Sequence, residues 1–244
     1  MDEEQLEEKE ETKEETKEEW IPKTKIGKLV KEGKISDIDE ILDKGIKIRE
    51  PEIVDFLIPN LESDLVLIGQ SKGKFGGGQR KVFRQTQKKT AEGSRIKFVC
   101  LAVVGNRNGY VGIGLGSSPE TVPAREKAIR NAKLNVIKIK RGCGSWECNC
   151  GEAHSIPFKI KGRCSSVRVE LLPAPKGIGL CVHNELKKIL SLAGISDVWS
   201  KTFGETRTRI NLAFACFDAL KKLSYYKIGE IQKKSLGIVE GKKE

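Results

Sequence analysis

The apolar run at residues 96–104, IKFVCLAVV, constrains the fold of this chain more than any other stretch. It is rich in β-branched residues and apolar on both faces near its end, which predicts a central β-strand. The next five residues, GNRNG at 105–109, have the chemistry of a hairpin turn, and residues 110–114 are predicted to form the return strand. We therefore expect an antiparallel sheet with this hairpin at its centre.

Helical patterns lie on both sides of the hairpin. Residues 51–57 place apolar side chains on one side and begin at a proline, and residues 121–134 begin at the capping residue Thr121 with Pro123 in the first turn. With a further candidate strand at residues 82–90, the order over residues 51–135 is α-β-β-β-α, as in a double-stranded-RNA-binding domain. Such sandwiches serve many functions, so the order predicts a topology only.

A second α/β domain is predicted at residues 155–225. Strands at 158–161 and 167–172 precede a Pro/Gly-rich loop at 173–179, a helix capped by Asn184 and a short strand around Trp199. A final helix from about residue 209 to 220 carries an apolar stripe. The predicted fold class is therefore α+β, with two two-layer domains in succession.

Four further segments complete the predicted organisation. Residues 1–19 are expected to be an acidic disordered tail, because they have almost no apolar side chains to bury. Residues 20–50 are a basic connector with a helix at 35–45, residues 136–154 are a linker that carries cysteines, and residues 226–244 are a flexible basic tail.

Residues 72–97, the basic arm, hold nine lysines and arginines and one acid, Glu92. Isolated charges lose too much hydration to be buried, so the arm needs a polyanion, and phosphate is the obvious one. The glycines at 76–78 let the backbone approach such a partner closely. A solvated charged loop is the alternative. The candidate RNA-binding residues are Lys72, Lys74, Gly76, Gly77, Gly78, Gln79, Arg80, Lys81, Arg84, Lys88 and Lys89.

The charge of the chain is unevenly distributed. The net charge is +11, but residues 1–19 hold eleven acids and three lysines, so the remaining residues carry +19. A body this basic indicates a nucleic acid or an anionic membrane surface as partner. No run of about 18 apolar residues is present to span a bilayer, and the acidic N-terminus is unlike a signal peptide. We expect a cytoplasmic protein.

Three thiols and an imidazole lie within twelve residues, and Cys143, Cys148, Cys150 and His154 form what we call the Cys/His cluster. Zinc prefers four nitrogen or sulfur ligands in a tetrahedron, so a structural zinc ion is one interpretation, with Cys164 as a substitute ligand. The other is a loop of reduced cysteines with Trp146 buried beneath it. Catalysis is disfavoured, because no partner acid or base is evident for His154.

Two glycine motifs resemble nucleotide-binding loops. The alternating glycines Gly112, Gly114 and Gly116 follow a strand but lack a dinucleotide fingerprint, so they are expected to be strand-end and turn glycines. Residues 173–180, PAPKGIGL, resemble the phosphate loop of the galactokinase and homoserine kinase superfamily. The serines and acidic metal ligands of that site are missing here, which disfavours a kinase.

Long segments of the chain resemble one family. They are SKGKFGGGQRKVFR, VVGNRNGYVGIGLG, AREKAIRNAKLN, HSIPFKIKGRCSSVRVELLPAPKGIGL and LAGISDVWSKTFGETRTRINLAFACFDALKKL. In order and over residues 45–225, they are similar to the universal protein-five family of the small ribosomal subunit, called S-five, or S-two in eukaryotic naming. The long N-terminus and the spacing of the 141–154 loop resemble archaeal rather than bacterial members.

The resemblance implies a fold and a function. It implies an N-terminal domain like a double-stranded-RNA-binding domain and a C-terminal domain with a left-handed β-α-β crossover, the fold that the kinases above share. It implies binding of ribosomal RNA near the decoding region and the tunnel through which mRNA enters, contacts with ribosomal proteins S-four and S-eight, and an influence on translational accuracy. Residues 74–84 would reach the RNA, with Arg80, Lys81 and Arg84 as phosphate contacts.

We therefore expect a structural constituent of the small ribosomal subunit without enzymatic activity, located in cytoplasmic ribosomes. No cofactor is required for this role, and no membrane and no homo-oligomer are expected. Two alternatives remain, an ATP-dependent small-molecule kinase and a double-stranded-RNA-binding regulator outside the ribosome. Recovery in small subunits at one copy would favour the ribosomal hypothesis, and ATP turnover the kinase.

Overall fold

The computed structural model describes residues 20–58, 60–71, 73 and 80–241. The acidic tail predicted at residues 1–19, most of the glycine-rich part of the basic arm (residue 72 and residues 74–79) and residues 242–244 lie outside the described residues. The chain divides into two units, residues 1–59 and 60–244. The boundaries predicted at residues 135 and 155 both fall within the second unit.

Residues 20–58 of the first unit contain three short helices: α1 (Lys25–Lys31), α2 (Ile38–Asp43) and α3 (Glu52–Leu57). The Thr24 hydroxyl caps α1 by accepting the Gly27 N–H at 3.1 Å. The Glu50 carboxylate accepts the backbone N–H groups of Lys23 and Thr24 at 2.9 and 2.6 Å. Helices α2 and α3 lie where the sequence predicts them. Helix α1 was not predicted, because its apolar positions are few and interrupted by lysines.

The second unit begins with a five-stranded antiparallel sheet built on the predicted hairpin. Its strands are β1 (Glu62–Leu65), β2 (Arg84–Thr90), β3 (Gly93–Gly105), β4 (Tyr110–Ser118) and β5 (Val136–Lys138). The register of the hairpin aligns Leu101 with Leu115, and Gly105 with Val111. Strand β2 pairs with the first half of β3 and β1 with its second half. The sheet thus has two strands beyond the three counted in the α-β-β-β-α pattern, because β1 and β5 are too short to show a clear alternation.

Helix α4 (Thr121–Leu134) lies directly on the backbone of β4. A Cβ added to Gly112, Gly114 or Gly116 would lie 2.3, 2.2 or 2.3 Å from a backbone atom of this helix. Both sequence interpretations of these glycines were therefore wrong, because the glycines are neither turn residues nor part of a nucleotide-binding loop. They are interior strand residues that let a helix approach a strand closely.

The chain then forms a second sheet of four strands. Its strands are β7 (Ile160–Cys164), β8 (Val167–Pro173), β9 (Leu180–Cys181) and β10 (Val198–Phe203). The β7–β8 and β8–β10 pairs are antiparallel, whereas β9 and β10 are parallel and are joined through α5 (Asn184–Leu192). Helix α6 (Arg209–Tyr225) follows. The predicted α+β class is confirmed, and the strand pairs are antiparallel except for β9–β10.

One hydrophobic cluster joins both sheets of the second unit. From the first sheet it takes Leu101, Val103, Val111 and Ile113, all nearly fully buried, and it continues through β8, α5 and α6. Burial of this continuous apolar surface is the main stabilising contribution to the unit. Among the described residues, no helix combines the length and the apolar character needed to cross a bilayer.

The C-terminal segment, residues 226–241, forms regular structure where the sequence predicts a flexible tail. It contains α7 (Glu230–Ser235) and β11 (Val239–Glu240), and β11 pairs with β6 (Lys140–Arg141). Strand β6 lies a hundred residues earlier, so this pairing has no local signal. Long-range strand pairing orders a segment whose composition resembles that of a solvated tail.

Candidate nucleic-acid interface and metal centre

The outer part of the β2–β3 hairpin exposes both of its faces. All residues of β2 except Thr90 are exposed, and so are the first five residues of β3. In a sheet that covers a core, exposed and buried side chains alternate. The absence of this alternation shows that this part of the basic arm covers no core within the described residues.

Cross-strand pairing in the arm brings like charges together. Lys88 lies directly opposite Arg95, and both side chains are exposed. Like charges in such a pair repel, so the arm is destabilised unless an anion lies nearby. The acid Glu92 pairs with Arg95 across the hairpin turn and offsets part of this charge.

The base of the arm is held by backbone hydrogen bonds. The Gly69 N–H donates to the Lys81 carbonyl at 2.8 Å, and the Lys81 N–H donates to the Gln70 carbonyl at 3.2 Å. The side chain of Lys81 is exposed. The backbone thus fixes where the arm leaves the sheet and leaves the Lys81 ammonium free to meet solvent or a ligand.

Arg80 faces a cavity of about 410 Å³ at the start of α5. The cavity is also lined by His183, Asn184 and Arg209. Burial and then the positive charge of Arg80 lower the pKa of the Arg209 guanidinium, and burial and then Arg209 lower the pKa of His183. The cavity therefore has an excess of positive charge, although Glu185 accepts a hydrogen bond from Arg209 at 3.2 Å. Sequence reasoning missed Arg209, whose approach to Arg80 depends on tertiary structure alone.

The predicted RNA-binding residues fall into three sets. Arg84, Lys88 and Lys89 are exposed on β2, and Arg80 and Lys81 lie at the base of the arm. Lys72, Lys74, Gly76, Gly77, Gly78 and Gln79 lie outside the described residues.

The Cys/His cluster is brought together by a loop with a narrow neck. Gly142 and Ser155 exchange backbone hydrogen bonds of 2.9 and 3.2 Å, which close residues 142–155 into one loop. The Cys143 N–H donates to the Leu236 carbonyl at 2.8 Å, so the C-terminal segment fixes one end of the cluster. One potential ligand atom from each of Cys143, Cys148, Cys150 and His154 lies within 4.8 Å of the other three.

Two sequence interpretations of the cluster were wrong. Trp146 is 89% exposed and is not buried beneath the loop, because it lies on a turn whose neighbours are small and polar. Cys164 lies in β7, outside the group of four ligand residues, and does not substitute for any of them.

A buried carboxylate contacts the cluster. Asp197 Oδ2 lies 2.9 Å from His154 Nδ1, and the two side chains are only 5% and 7% exposed. The other ring nitrogen, Nε2, lies 3.9 Å from the Cys148 sulfur. The expectation that His154 has no partner acid was therefore wrong. Forty-three residues separate the pair, and no local spacing links them.

The thiols differ in their acidity. Backbone N–H groups of Lys176 and Cys150 stabilise the Cys148 thiolate and lower the pKa of this group to about 6. Burial and then the neighbouring thiols raise the pKa of Cys143 to about 11. One thiolate is therefore favoured at neutral pH in the metal-free cluster, and a divalent cation would favour ionisation of the others. Three sulfurs and one imidazole nitrogen this close together fit the tetrahedral ligand set of zinc.

Two amides of the glycine-rich loop at residues 173–179 are bound within the protein. Asp197 Oδ1 accepts the N–H groups of Gly177 and Gly179 at 3.1 and 2.8 Å. A phosphate loop needs such N–H groups to face its ligand. An internal carboxylate occupies them here, which disfavours the kinase hypothesis.

Comparison with known proteins gives consistent matches. Residues 82–140 match the family "Ribosomal protein S5, N-terminal domain", and residues 162–235 match "Ribosomal protein S5, C-terminal domain". The Cys/His cluster lies between these two segments.

Full-length relatives extend the match over most of the chain. "Small ribosomal subunit protein uS5" of Nanoarchaeum equitans is 55% identical over 223 residues, which cover 91% of this chain and 96% of the relative. The protein of the same name from Methanocaldococcus jannaschii is 52% identical over 92% of this chain and 96% of the relative. The protein of the same name from Methanobrevibacter smithii is 50% identical over 90% of this chain and 96% of the relative.

Proposed function

This chain belongs to the ribosomal protein S5 family, whose members are structural, non-enzymatic constituents of the small ribosomal subunit, and from that premise we propose that its basic arm binds ribosomal RNA. The observation that carries the proposal is the two-sided exposure of the arm together with its like-charge pair Lys88–Arg95. An RNA phosphate between or beside these side chains would offset the repulsion that remains after Glu92 pairs with Arg95.

The proposed mechanism is neutralisation of phosphate charge. Arg84, Lys88 and Lys89 lie on one extended strand and can follow a phosphate backbone, while Arg80 and Lys81 contact it at the base of the arm. Lys72, Lys74, Gly76, Gly77, Gly78 and Gln79 would extend the same contact. Arginine and lysine contacts to phosphate carry no sequence information, so we expect recognition of RNA shape.

The family membership supports finer proposals about location and partners. We place the arm near the decoding region and the tunnel through which mRNA enters, with ribosomal proteins S-four and S-eight as neighbours and an influence on accuracy. The protein would then act in the cytoplasm as one copy per subunit. We also propose that the first sheet and α4 form a domain related to double-stranded-RNA-binding domains, and that the parallel β9-α5-β10 unit has a left-handed crossover.

The salt dependence of RNA binding tests the phosphate contacts. Replacing Arg80, Lys81 and Arg84 together by glutamine should weaken binding to small-subunit ribosomal RNA. Each lost phosphate contact should reduce the slope of log K against log salt concentration by about one. The measurement is a filter-binding or anisotropy titration at several salt concentrations. An unchanged slope would refute the contacts.

A matched control removes the same charge elsewhere. Lys159 and Lys161 are paired with Glu170, and Lys222 with Asp218, at 2.7–2.9 Å. Glu170 and Asp218 offset two of these three positive charges within the protein, and all three lysines lie outside the basic arm, so their triple glutamine variant should keep the wild-type slope. A loss of slope in this control would mean that the RNA responds to net charge alone. Recovery of the chain at one copy per small subunit distinguishes the ribosomal role from a free RNA-binding regulator.

We further propose that the Cys/His cluster holds one structural zinc ion. The proximity of its four ligand atoms, all within 4.8 Å, carries this proposal. Metal analysis of the purified protein should give about one equivalent of zinc, and Cys148→Ser should lose it. Cys181→Ser changes an exposed thiol outside the cluster and should retain the metal. Less than about half an equivalent in the wild-type protein would exclude the site.

A further inference from the structure

Asp197 connects the Cys/His cluster to the glycine-rich loop. One carboxylate oxygen contacts His154 Nδ1 at 2.9 Å, and the other accepts the Gly177 and Gly179 N–H groups. The main chain adds to the connection, because the N–H groups of Ser196 and Asp197 both donate to the His154 carbonyl, at 2.9 and 3.2 Å. The carboxylate is 5% exposed, so water contributes little to its hydrogen bonding.

The carboxylate determines which imidazole nitrogen carries the proton. An ionised carboxylate can only accept hydrogen bonds, so neutral His154 must carry its hydrogen on Nδ1. The lone pair is then on Nε2, the nitrogen that lies 3.9 Å from the Cys148 sulfur. This is the tautomer that can bind a metal ion among the thiols.

The same carboxylate holds the loop that leads into β9. Gly177 and Gly179 have φ values of +94° and +77°, which favour glycine, and β9 begins at the next residue, Leu180. Strand β9 pairs in parallel with β10, with Leu180 opposite Val198, the residue that follows Asp197. A displacement of Asp197 would therefore shift both the glycine-rich loop and the edge of the second sheet.

We propose that Asp197 is the positioning residue of the metal site. It holds His154 in the metal-binding tautomer, and through its second oxygen it couples metal occupancy to the order of residues 177–179. This inference rests on the zinc site proposed above. It goes further by assigning a role to a residue outside the ligand set and by connecting the cluster to a distant loop.

The variant Asp197→Asn tests the role of the carboxylate. The two glycine N–H donors should hold the remaining side-chain oxygen, so the new NH₂ group must face His154. Because NH₂ is a donor, it favours the tautomer with the hydrogen on Nε2, which cannot bind the metal. Loss of such a partner typically weakens metal binding about tenfold to a hundredfold. We expect a loss of that size in a zinc titration against a chromogenic chelator.

Glu152→Gln is the matched control. Glu152 lies in the same loop and carries the same charge as Asp197, but its carboxylate is bound to the Lys176 ammonium at 2.6 Å. The zinc affinity of the Glu152→Gln variant should stay within about threefold of that of the wild-type protein. An equal loss in both variants would overturn the proposal, because net charge would then explain the effect.

Nitrogen NMR of the imidazole rings provides a readout that a purely structural role would not change. The chain has two histidines, so His183 serves as an internal reference. In the wild-type protein, with and without zinc, His154 should be protonated on Nδ1, and in metal-free Asp197→Asn it should be protonated on Nε2. Removal of zinc from the wild-type protein should also speed hydrogen exchange at the Gly177 and Gly179 amides.

The outcomes of these experiments distinguish the proposed zinc site from the proposed role of Asp197. A wild-type protein that binds no zinc overturns the zinc site and this inference together. A wild-type protein that binds zinc, with an Asp197→Asn variant that binds equally well or keeps the Nδ1 tautomer, overturns this inference alone. If the variant does not fold, the wild-type spectrum still decides, because a hydrogen on Nε2 in either form contradicts the role of Asp197.

Discussion

At the scale of single residues, Glu170 shows how a paired carboxylate stabilises the second sheet. It lies on β8 with a side chain that is 14% exposed, between Lys161 at 2.7 Å and Lys159 at 2.9 Å. Hydrogen bonds from Lys161 and then Lys159 lower the pKa of Glu170 to about 2, from an ordinary value of 4.5. The ionised form is therefore favoured by folding.

This shift predicts a pH dependence of stability. Because the pKa of Glu170 is lower in the folded protein, its stabilising contribution is complete above pH 4.5 and is lost as the pH falls towards 2. Glu170→Gln should therefore be less stable than the wild-type protein at pH 7, and the difference should disappear across that interval. Urea unfolding of both proteins between pH 7 and 2 measures this difference in stability. A difference that stays constant with pH would contradict the assignment.

Residue-scale reasoning from the sequence succeeded where the chemistry is local. Cys143, Cys148, Cys150 and His154 lie within twelve residues, so their types and spacing were sufficient to suggest a ligand group, and the structure places them together. Asp197 could not be found in this way, because strands β7, β8 and β9 and helix α5 separate it from His154 along the chain. Only the packed second unit brings the two side chains into contact.

At the scale of elements, the contact between β4 and α4 depends on the absence of side chains. Gly114 lies beneath the middle of α4, and a Cβ there would be 2.2 Å from the Ala132 nitrogen and 2.5 Å from the Ala128 carbonyl oxygen. Both atoms belong to the helix backbone and cannot move aside as a flexible side chain would. The small residues Ala124, Ala128 and Ala132 on the helix allow the same close approach.

Gly114→Ala should therefore destabilise the protein. Overpacking of this kind typically costs about 1–3 kcal/mol, and the rigid backbone contact places Gly114 at the upper end. Gly229→Ala is the control, because the nearest atom to its added Cβ is 3.9 Å away, and it should cost less than about 1 kcal/mol. Chemical denaturation of both variants gives the comparison. Equal effects would mean that α4 can shift away from the sheet at little cost.

Element-scale prediction was strongest for long patterns. The 96–104 run lies within β3, the residues after its turn form β4, and the 121–134 pattern is α4. The predicted cap Thr121 was wrong, because Glu120 is the N-cap and Thr121 is the first helical residue. The sequence did not predict β5 or β11, which have three and two residues. Strands this short depend on their partners, and a partner cannot be deduced from alternation within a few residues.

At the scale of the whole molecule, the C-terminal segment closes the second unit over β6. The buried Arg141 side chain donates to the carbonyl of Gly241 at 3.1 Å, to that of Gly194 at 3.3 Å and to Asn108 Oδ1 at 2.6 Å. Arg141 therefore connects the turn of the β3–β4 hairpin, the end of α5 and the C-terminus of the described chain. Burial lowers the pKa of this guanidinium, so loss of a hydrogen-bond partner is costly.

Truncation after Ile228 should affect both stability and metal binding. It removes β11, the Gly241 carbonyl and the Leu236 carbonyl that holds Cys143. We expect a loss on the order of 2 kcal/mol, which corresponds to a fall in Tm of about 4–8 °C at this chain length. Zinc affinity should fall as well. Calorimetry and a zinc titration measure the two effects.

A point substitution in the same segment is the control for the truncation. Ile231 lies on α7 and is 86% exposed, so Ile231→Ala should leave both Tm and zinc affinity unchanged. If the truncated chain kept the wild-type Tm, the C-terminal segment would have no structural role in solution.

The closure by the C-terminal segment has a consequence for the biosynthesis of the protein. Translation proceeds from the N-terminus, so β6 and the Cys/His cluster emerge long before β11, whose partner in the sheet lies a hundred residues behind it. Until the last residues are released, the edge of β6 lacks its strand and Arg141 lacks its final acceptor. An unpaired strand edge invites association with other chains. We therefore expect products that terminate before β11 to remain incompletely folded and prone to aggregate, so that only a chain that includes β11 becomes a stable component for assembly.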